Sequence, residues 1–161
     1  MAKAGFVFAK DNEYYTPKEF VERFGKFDYD PATTKEKALE FGIPNYDTEQ
    51  TDGLAQDWTL YKRIWINPPF TKKNEFMQKA VDTFKQTKAD IYILFPIEFI
   101  TTKRFHEIMD EVGGVVYVPN GRVKFESGLG RKSTSPAFGS CVLKLVDTKT
   151  IIMERIKLET K

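Results

Sequence analysis

Asn67, Pro68, Pro69 and Phe70 stand directly after the apolar run Ile64-Trp65-Ile66. An Asn, two prolines and an aromatic at the end of a buried strand make a stiff loop, because proline fixes φ and carries no N–H. The plainer role for the pair is to end a strand that proline cannot continue. The same loop can also do chemistry. An exocyclic amine on an aromatic ring, such as N6 of adenine, is a poor nucleophile because its lone pair is delocalised into the ring. Two acceptors directed at its N–H groups favour the tetrahedral geometry needed to attack an electrophilic methyl group, and they hold the nitrogen in line with the donor. Asn67 offers a side-chain oxygen, and Pro68 a carbonyl with no competing N–H. Pro69 stiffens the loop further, and Phe70 can stack on a base that has left the duplex. The amine proton can leave to water, so no metal and no general base with a shifted pKa is required.

The flanking elements must carry this loop to a site. Thr16-Pro17 reads as the start of a helix over 16–24, with Thr as cap and Pro at the first helical position. A short strand over 27–30 leads into Pro31. A helix over 34–41 is closed by Gly42. Residues 45–58 read as irregular, with Asp52-Gly53 as a turn. A strand over 61–66 is ended by the prolines, and a helix over 74–85 shows the apolar stripe Phe76, Met77, Ala80, Val81 and Phe84. The continuous apolar run over 90–95 suits a central strand covered on both faces. A helix over 102–112, a strand over 115–118, an extended piece over 123–125, a polar loop over 128–136 and closing strands over 138–146 and 151–158 complete the chain. Strand alternating with helix implies an α/β fold with a mostly parallel, doubly wound sheet, helices on both faces and a C-terminal antiparallel strand pair. Ligands of such sheets bind beyond the C-terminal strand ends. Asp30-Pro31, Asn67-Pro68-Pro69-Phe70 and Pro96-Ile97-Glu98 all fall on that edge.

The 161 residues suit one domain, expected over 14–161 behind a loosely attached arm over 1–13. Charges nearly balance at +2, so any nucleic acid must be held by local basic patches rather than by global charge. One cysteine and one histidine leave no disulfide and argue against a metal site. No apolar stretch is long enough to span a membrane, and no secretory signal is visible. The chain reads as a cytoplasmic protein. Gly-x-Gly-x-x-Gly is absent, so a nicotinamide or flavin lacks its phosphate-binding turn.

Several segments recur in a known order: Tyr14-Tyr15-Thr16-Pro17, Phe27-Asp28-Tyr29-Asp30-Pro31-Ala32, Asp52-Gly53-Leu54, Trp58, the run from Trp65 to Phe70, Gly121-Arg122-Val123-Lys124-Phe125 and Ser135-Pro136-Ala137-Phe138. Together they resemble the phage-type DNA N-6-adenine-methyltransferase family, the small Dam-like enzymes of phages and prophages. The resemblance implies an abbreviated Rossmann-like methyltransferase fold and S-adenosylmethionine as cofactor. It also implies double-stranded DNA as partner, no metal, a monomer or homodimer, and the host cytoplasm as location if a phage encodes the chain. It places Asn67, Pro68, Pro69 and Phe70 on the target amine, with Asn67 also beside the cofactor. Asp30 and Pro31 take the cofactor's amino group, with Asp28 as a second contact or orienting partner. Tyr15, Thr16 and Pro17 lie near its carboxylate, and Asp52 near its adenine. The family's usual glycine-rich turn after the first acid is replaced by Thr33-Thr34. Lys72, Lys73, Arg122, Lys124, Arg131 and Lys132 are the candidate DNA contacts, with base reading assigned to the 126–136 loop. Cytosine-N4 or protein-glutamine methylation by the same motif, and a non-catalytic nucleic-acid-binding relative, are the alternatives. Trp65 and Phe125 read as core, His106 as helix surface, and Trp58 as either core or site.

Overall fold

The computed structural model describes residues 14–15, 17–121, 123, 126–127 and 139–158. The arm at 1–13, Thr16, Arg122, Lys124, Phe125 and the loop carrying Arg131 and Lys132 lie outside the described residues. The chain runs through β1 (Tyr14–Tyr15), α1 (Lys18–Glu22), β2 (Tyr29–Asp30), α2 (Lys35–Phe41) and β3 (Asn45–Tyr46). Two 3-10 turns, Gly53–Ala55 and Trp58–Leu60, lead to β4 (Arg63–Ile66). A third, Phe70–Lys72, opens α3 (Lys73–Thr87). Then come β5 (Asp90–Pro96), a 3-10 turn Ile97–Thr101, α4 (Lys103–Ile108) and β6 (Gly113–Pro119). The short β7 (Glu126–Ser127), β8 (Ser140–Val146) and β9 (Ile151–Ile156) finish it.

Local chemistry sets several boundaries. Thr34 Oγ1 accepts from the Lys37 N–H at 3.2 Å and starts α2, and Gly42 ends it at φ 71°. Thr102 Oγ1 does the same for α4, accepting from Phe105 N–H at 3.1 Å. α1 starts one residue later than its Thr-Pro signal suggests, with Pro17 at the cap position. α4 stops at Ile108 rather than continuing to 112. The glycines beyond it belong to β6, because a Cβ on Gly113 would lie 2.2 Å from the Thr150 carbonyl oxygen. Glycine there marks a close backbone approach, not a break.

Among the described residues the main sheet has seven strands in the order β3-β2-β4-β5-β8-β6-β9. β3, β2, β4 and β5 are mutually parallel. β8 runs antiparallel between β5 and β6, and β9 lies parallel to β6. The expected C-terminal antiparallel pair is therefore not formed: β6 separates β8 from β9. Only four residues separate those two strands, so a hairpin was the local reading, but β8 pairs with β5 and β6 on its two sides. β1 pairs with β7 in a separate two-stranded ribbon, with Tyr15 opposite Glu126.

Each face of the sheet carries a core. Ile64, Ile66, Ile91, Ile93, Leu143 and Val116 pack with Phe76, Met77, Ala80, Val81 and Phe84 of α3 and Phe105 and Ile108 of α4. On the opposite face Trp65, Tyr92, Leu94 and Val142 pack with Phe20 and Val21 of α1. Trp65 and Trp58 are both about 1% exposed, so both are core residues. His106 is exposed, with a ring nitrogen 3.0 Å from the Ile100 carbonyl.

Candidate active site

β2, β4 and β5 are neighbours that run the same way, so the segments leaving them emerge side by side. Asp30-Pro31 leaves β2, Asn67-Pro68-Pro69-Phe70 leaves β4, and the turn Ile97–Thr101 leaves β5. Ile64 and Ile66 are fully buried on one face and Trp65 is buried on the other, so β4 is gripped from both sides up to the residue before Asn67. The chain then turns at once. Pro69 (φ −58°, ψ 141°) precedes the 3-10 turn that feeds α3, and its carbonyl accepts from Lys72 N–H at 3.0 Å. Asn67, Pro68 and Phe70 are half-buried and Pro69 is exposed. The corner is thus pinned at one end by the sheet core and at the other by a 15-residue helix.

Asp30 is 3% exposed. Its Oδ1 accepts from the Ala32 N–H at 2.9 Å. Burial pushes its carboxyl up from the ordinary value to about 7, with the Ala32 hydrogen bond opposing the shift. A buried carboxylate with so little hydrogen bonding is poorly compensated, and a cationic ligand group against it would restore the balance. The Asp30 backbone carbonyl accepts from Asp47 N–H at 2.9 Å, and the Asp47 carbonyl accepts from Thr33 N–H at 3.0 Å. The Thr33-Thr34 substitute for a glycine-rich turn is therefore itself tied to the strand beside it.

Asp52 sits at φ 56° and caps the turn Gly53–Ala55, its Oδ1 accepting from Leu54 N–H at 3.2 Å. A Cβ on Gly53 would lie 1.9 Å from the Pro31 carbonyl oxygen, so this turn packs directly on the Asp30-Pro31 corner. Trp58 Nε1 donates to the Gly53 carbonyl at 2.8 Å from within the core. Gly53→Ala must push the two corners apart. It is expected to cost about 2 kcal/mol or more of unfolding free energy in urea titrations, in the range of overpacked sites.

Asp28 does not join this group. Its two carboxylate oxygens accept from Lys62 and Arg63 N–H, each at 3.0 Å. That clamp sits where β4 begins, at the opposite edge from Asn67. Asp28 also precedes β2, which begins at Tyr29. Pro17 caps α1, its carbonyl accepting from Phe20 N–H at 3.0 Å, and Tyr15 lies in the β1–β7 ribbon. Lys72 is exposed, and Lys73 Nζ stands 5.4 Å over the Phe99 ring at the β5 exit.

The sequence reading missed Asp47. It directly follows β3 at the same edge, and its Oδ2 accepts from the Tyr29 hydroxyl at 2.5 Å. Burial and that carboxylate keep Tyr29 firmly protonated. The available signal was an acid closing the strand after Asp30, the position where dinucleotide folds take ribose hydroxyls. Among the described residues no group of His, Cys, Asp and Glu is arranged to hold a metal ion, and no helix is long and apolar enough to cross a membrane.

A DNA N-6-adenine-methyltransferase of Escherichia phage T1 is 25% identical to this chain over 130 residues, covering 70% of the chain and 53% of that protein. The chain thus spans about half the length of this relative. Residues 9–160 match the family described as DNA N-6-adenine-methyltransferase (Dam), which encompasses every segment of the edge just described. With nearly its whole length inside that match, the chain belongs to the DNA N-6-adenine-methyltransferase (Dam) family.

Proposed function

We propose that the chain methylates N6 of adenine in double-stranded DNA, using S-adenosylmethionine within a Rossmann-like methyltransferase fold. The observation that carries this reading is the stiff Asn67-Pro68-Pro69-Phe70 corner leaving the strand next to a buried, under-compensated Asp30. The cofactor, when bound, supplies an electrophilic methyl group on a sulfonium. Asp30 fits its amino group, because an ammonium offers the cation that the buried carboxylate lacks. Asp47 and Asp52, at the same edge, suit ribose hydroxyls and an adenine amine. Asp28 is left out of this set, its carboxylate being engaged by the start of β4.

The side chain of Asn67 and the Pro68 carbonyl accept from the two N–H groups of the target amine, and Phe70 stacks on the extruded base. With both N–H groups held in this way, the amine's lone pair would be left free to face the bound cofactor, and the surplus amine proton would leave to water. Lys72 and Lys73, beside the corner, serve the DNA backbone, with Arg122, Lys124, Arg131 and Lys132 as further contacts. The matched phage protein supports a phage or prophage origin, acting in the host cytoplasm.

The test is to incubate the protein with duplex DNA and labelled S-adenosylmethionine, digest to nucleosides and measure masses. N6-methyladenine is the expected product. N4-methylcytosine, or label found only on protein, would overturn the substrate assignment.

A further inference from the structure

Lys79 lies one and a half turns into α3, half-buried, and nothing in the motif pattern marks it. Its Nζ donates to the Leu54 carbonyl at 2.9 Å and stands 5.4 Å over the Trp58 ring. Lysine normally keeps its ammonium in water, so an ammonium spent on a backbone carbonyl in a partly buried site needs a reason. The geometry supplies one. α3 grows directly out of the Asn67-Pro68-Pro69-Phe70 corner. Leu54 belongs to the turn that Asp52 caps and that abuts Pro31. Trp58, the other side chain holding that turn, stacks on Phe76 of the same helix at 6.0 Å between ring centroids.

We infer that Lys79 is a positioning residue: it fixes the cofactor-side turn at Asp52-Gly53-Leu54 relative to the helix that carries the amine-holding corner. This inference rests on the methyltransferase reading above. It assigns Lys79 no contact with cofactor or DNA. Its charge–dipole bond sets the distance between the two halves of the site, so losing it loosens the cofactor side while the corner stays anchored by the sheet.

The test compares Lys79→Met and Lys79→Arg in the full chain. Methionine keeps an apolar stem over Trp58 and removes the donors, whereas arginine keeps them. Titration calorimetry with S-adenosylhomocysteine is expected to show affinity reduced roughly tenfold in Lys79→Met, the scale of a lost charged hydrogen bond. Affinity in Lys79→Arg should return to within about twofold of the parent. DNA affinity by fluorescence anisotropy, and kcat at saturating cofactor, should change less than about twofold. Unchanged S-adenosylhomocysteine binding in Lys79→Met would overturn the inference and leave the function intact. Equal loss of cofactor and DNA binding in both variants, with a collapsed melting temperature, would also overturn it, because that is the mark of a merely structural residue. A parent protein that binds no S-adenosylhomocysteine would overturn the methyltransferase reading and this inference with it.

Discussion

Asn67→Ala is expected to lower kcat by at least about a hundredfold, the usual cost of deleting one preorganised group that acts on the transition state. The affinities for S-adenosylhomocysteine and duplex DNA should stay within about threefold of the parent. The split follows from where the residue sits. Asn67 is the first residue beyond β4, and the burial of Ile64, Trp65 and Ile66 anchors the strand up to it. The Pro68 carbonyl and the Phe70 ring survive the substitution, so a base can still enter and stack. What is lost is one of the two acceptors that turn the amine lone pair toward the methyl carbon. Kinetics at saturating DNA and cofactor, beside separate binding titrations, measure the two effects. Full activity in Asn67→Ala would remove the amine-holding role from this corner. Equal loss of binding and turnover would make Asn67 a folding residue.

Asp30→Asn should abolish measurable cofactor binding and yet make the protein more stable at pH 8. The folded carboxyl titrates at about 7 because burial disfavours its charge, against an ordinary value of 3.8. Between those two values the folded state holds a proton that the unfolded state has released. Stability from this group is therefore complete below about pH 4 and is lost as the pH rises through about 7. Asparagine, close to isosteric and still able to accept from the Ala32 N–H, removes that loss. The gain at pH 8 is on the order of 4 kcal/mol at most, from the size of the shift. It should shrink toward zero as the pH falls to 4. Urea unfolding of both proteins across pH 4–8 tests the sign, and calorimetry with S-adenosylhomocysteine tests the binding. A variant less stable than the parent at pH 8, or one that still binds tightly, would contradict the assignment of Asp30 as a charge held ready for a cation.

Most of the site's edge could be read from the chain because the signals are local. Prolines after an apolar run end β4 wherever they occur, and Asp30-Pro31 and Asp52-Gly53 are turn formers by their own chemistry. The helices were legible from Thr34, Gly42, Thr102 and the stripe on α3. Asp28 was expected beside the cofactor, within a strand over 27–30, whereas β2 begins only at Tyr29. Its partners, the N–H groups of Lys62 and Arg63, are remote in sequence and leave no local mark. Asp47 was passed over because β3 has only two residues and no apolar run to announce it. Lys79 carries no local signal, because its partner Leu54 lies 25 residues away in sequence. The order of the last strands was the largest surprise, since a short link argues for a hairpin and only tertiary cover decides otherwise.

That order also governs how the chain can be assembled. β5, at the centre of the sheet, finds its second neighbour only in residues 140–146, and β6 is joined to β5 only through that same late segment. During synthesis the half of the sheet that frames the corner can zip up early, by nearest-neighbour strands. It must then wait with a bare hydrophobic margin until residues 140–146 leave the ribosome. The nascent chain is therefore most prone to clump just before residues 140–146 emerge.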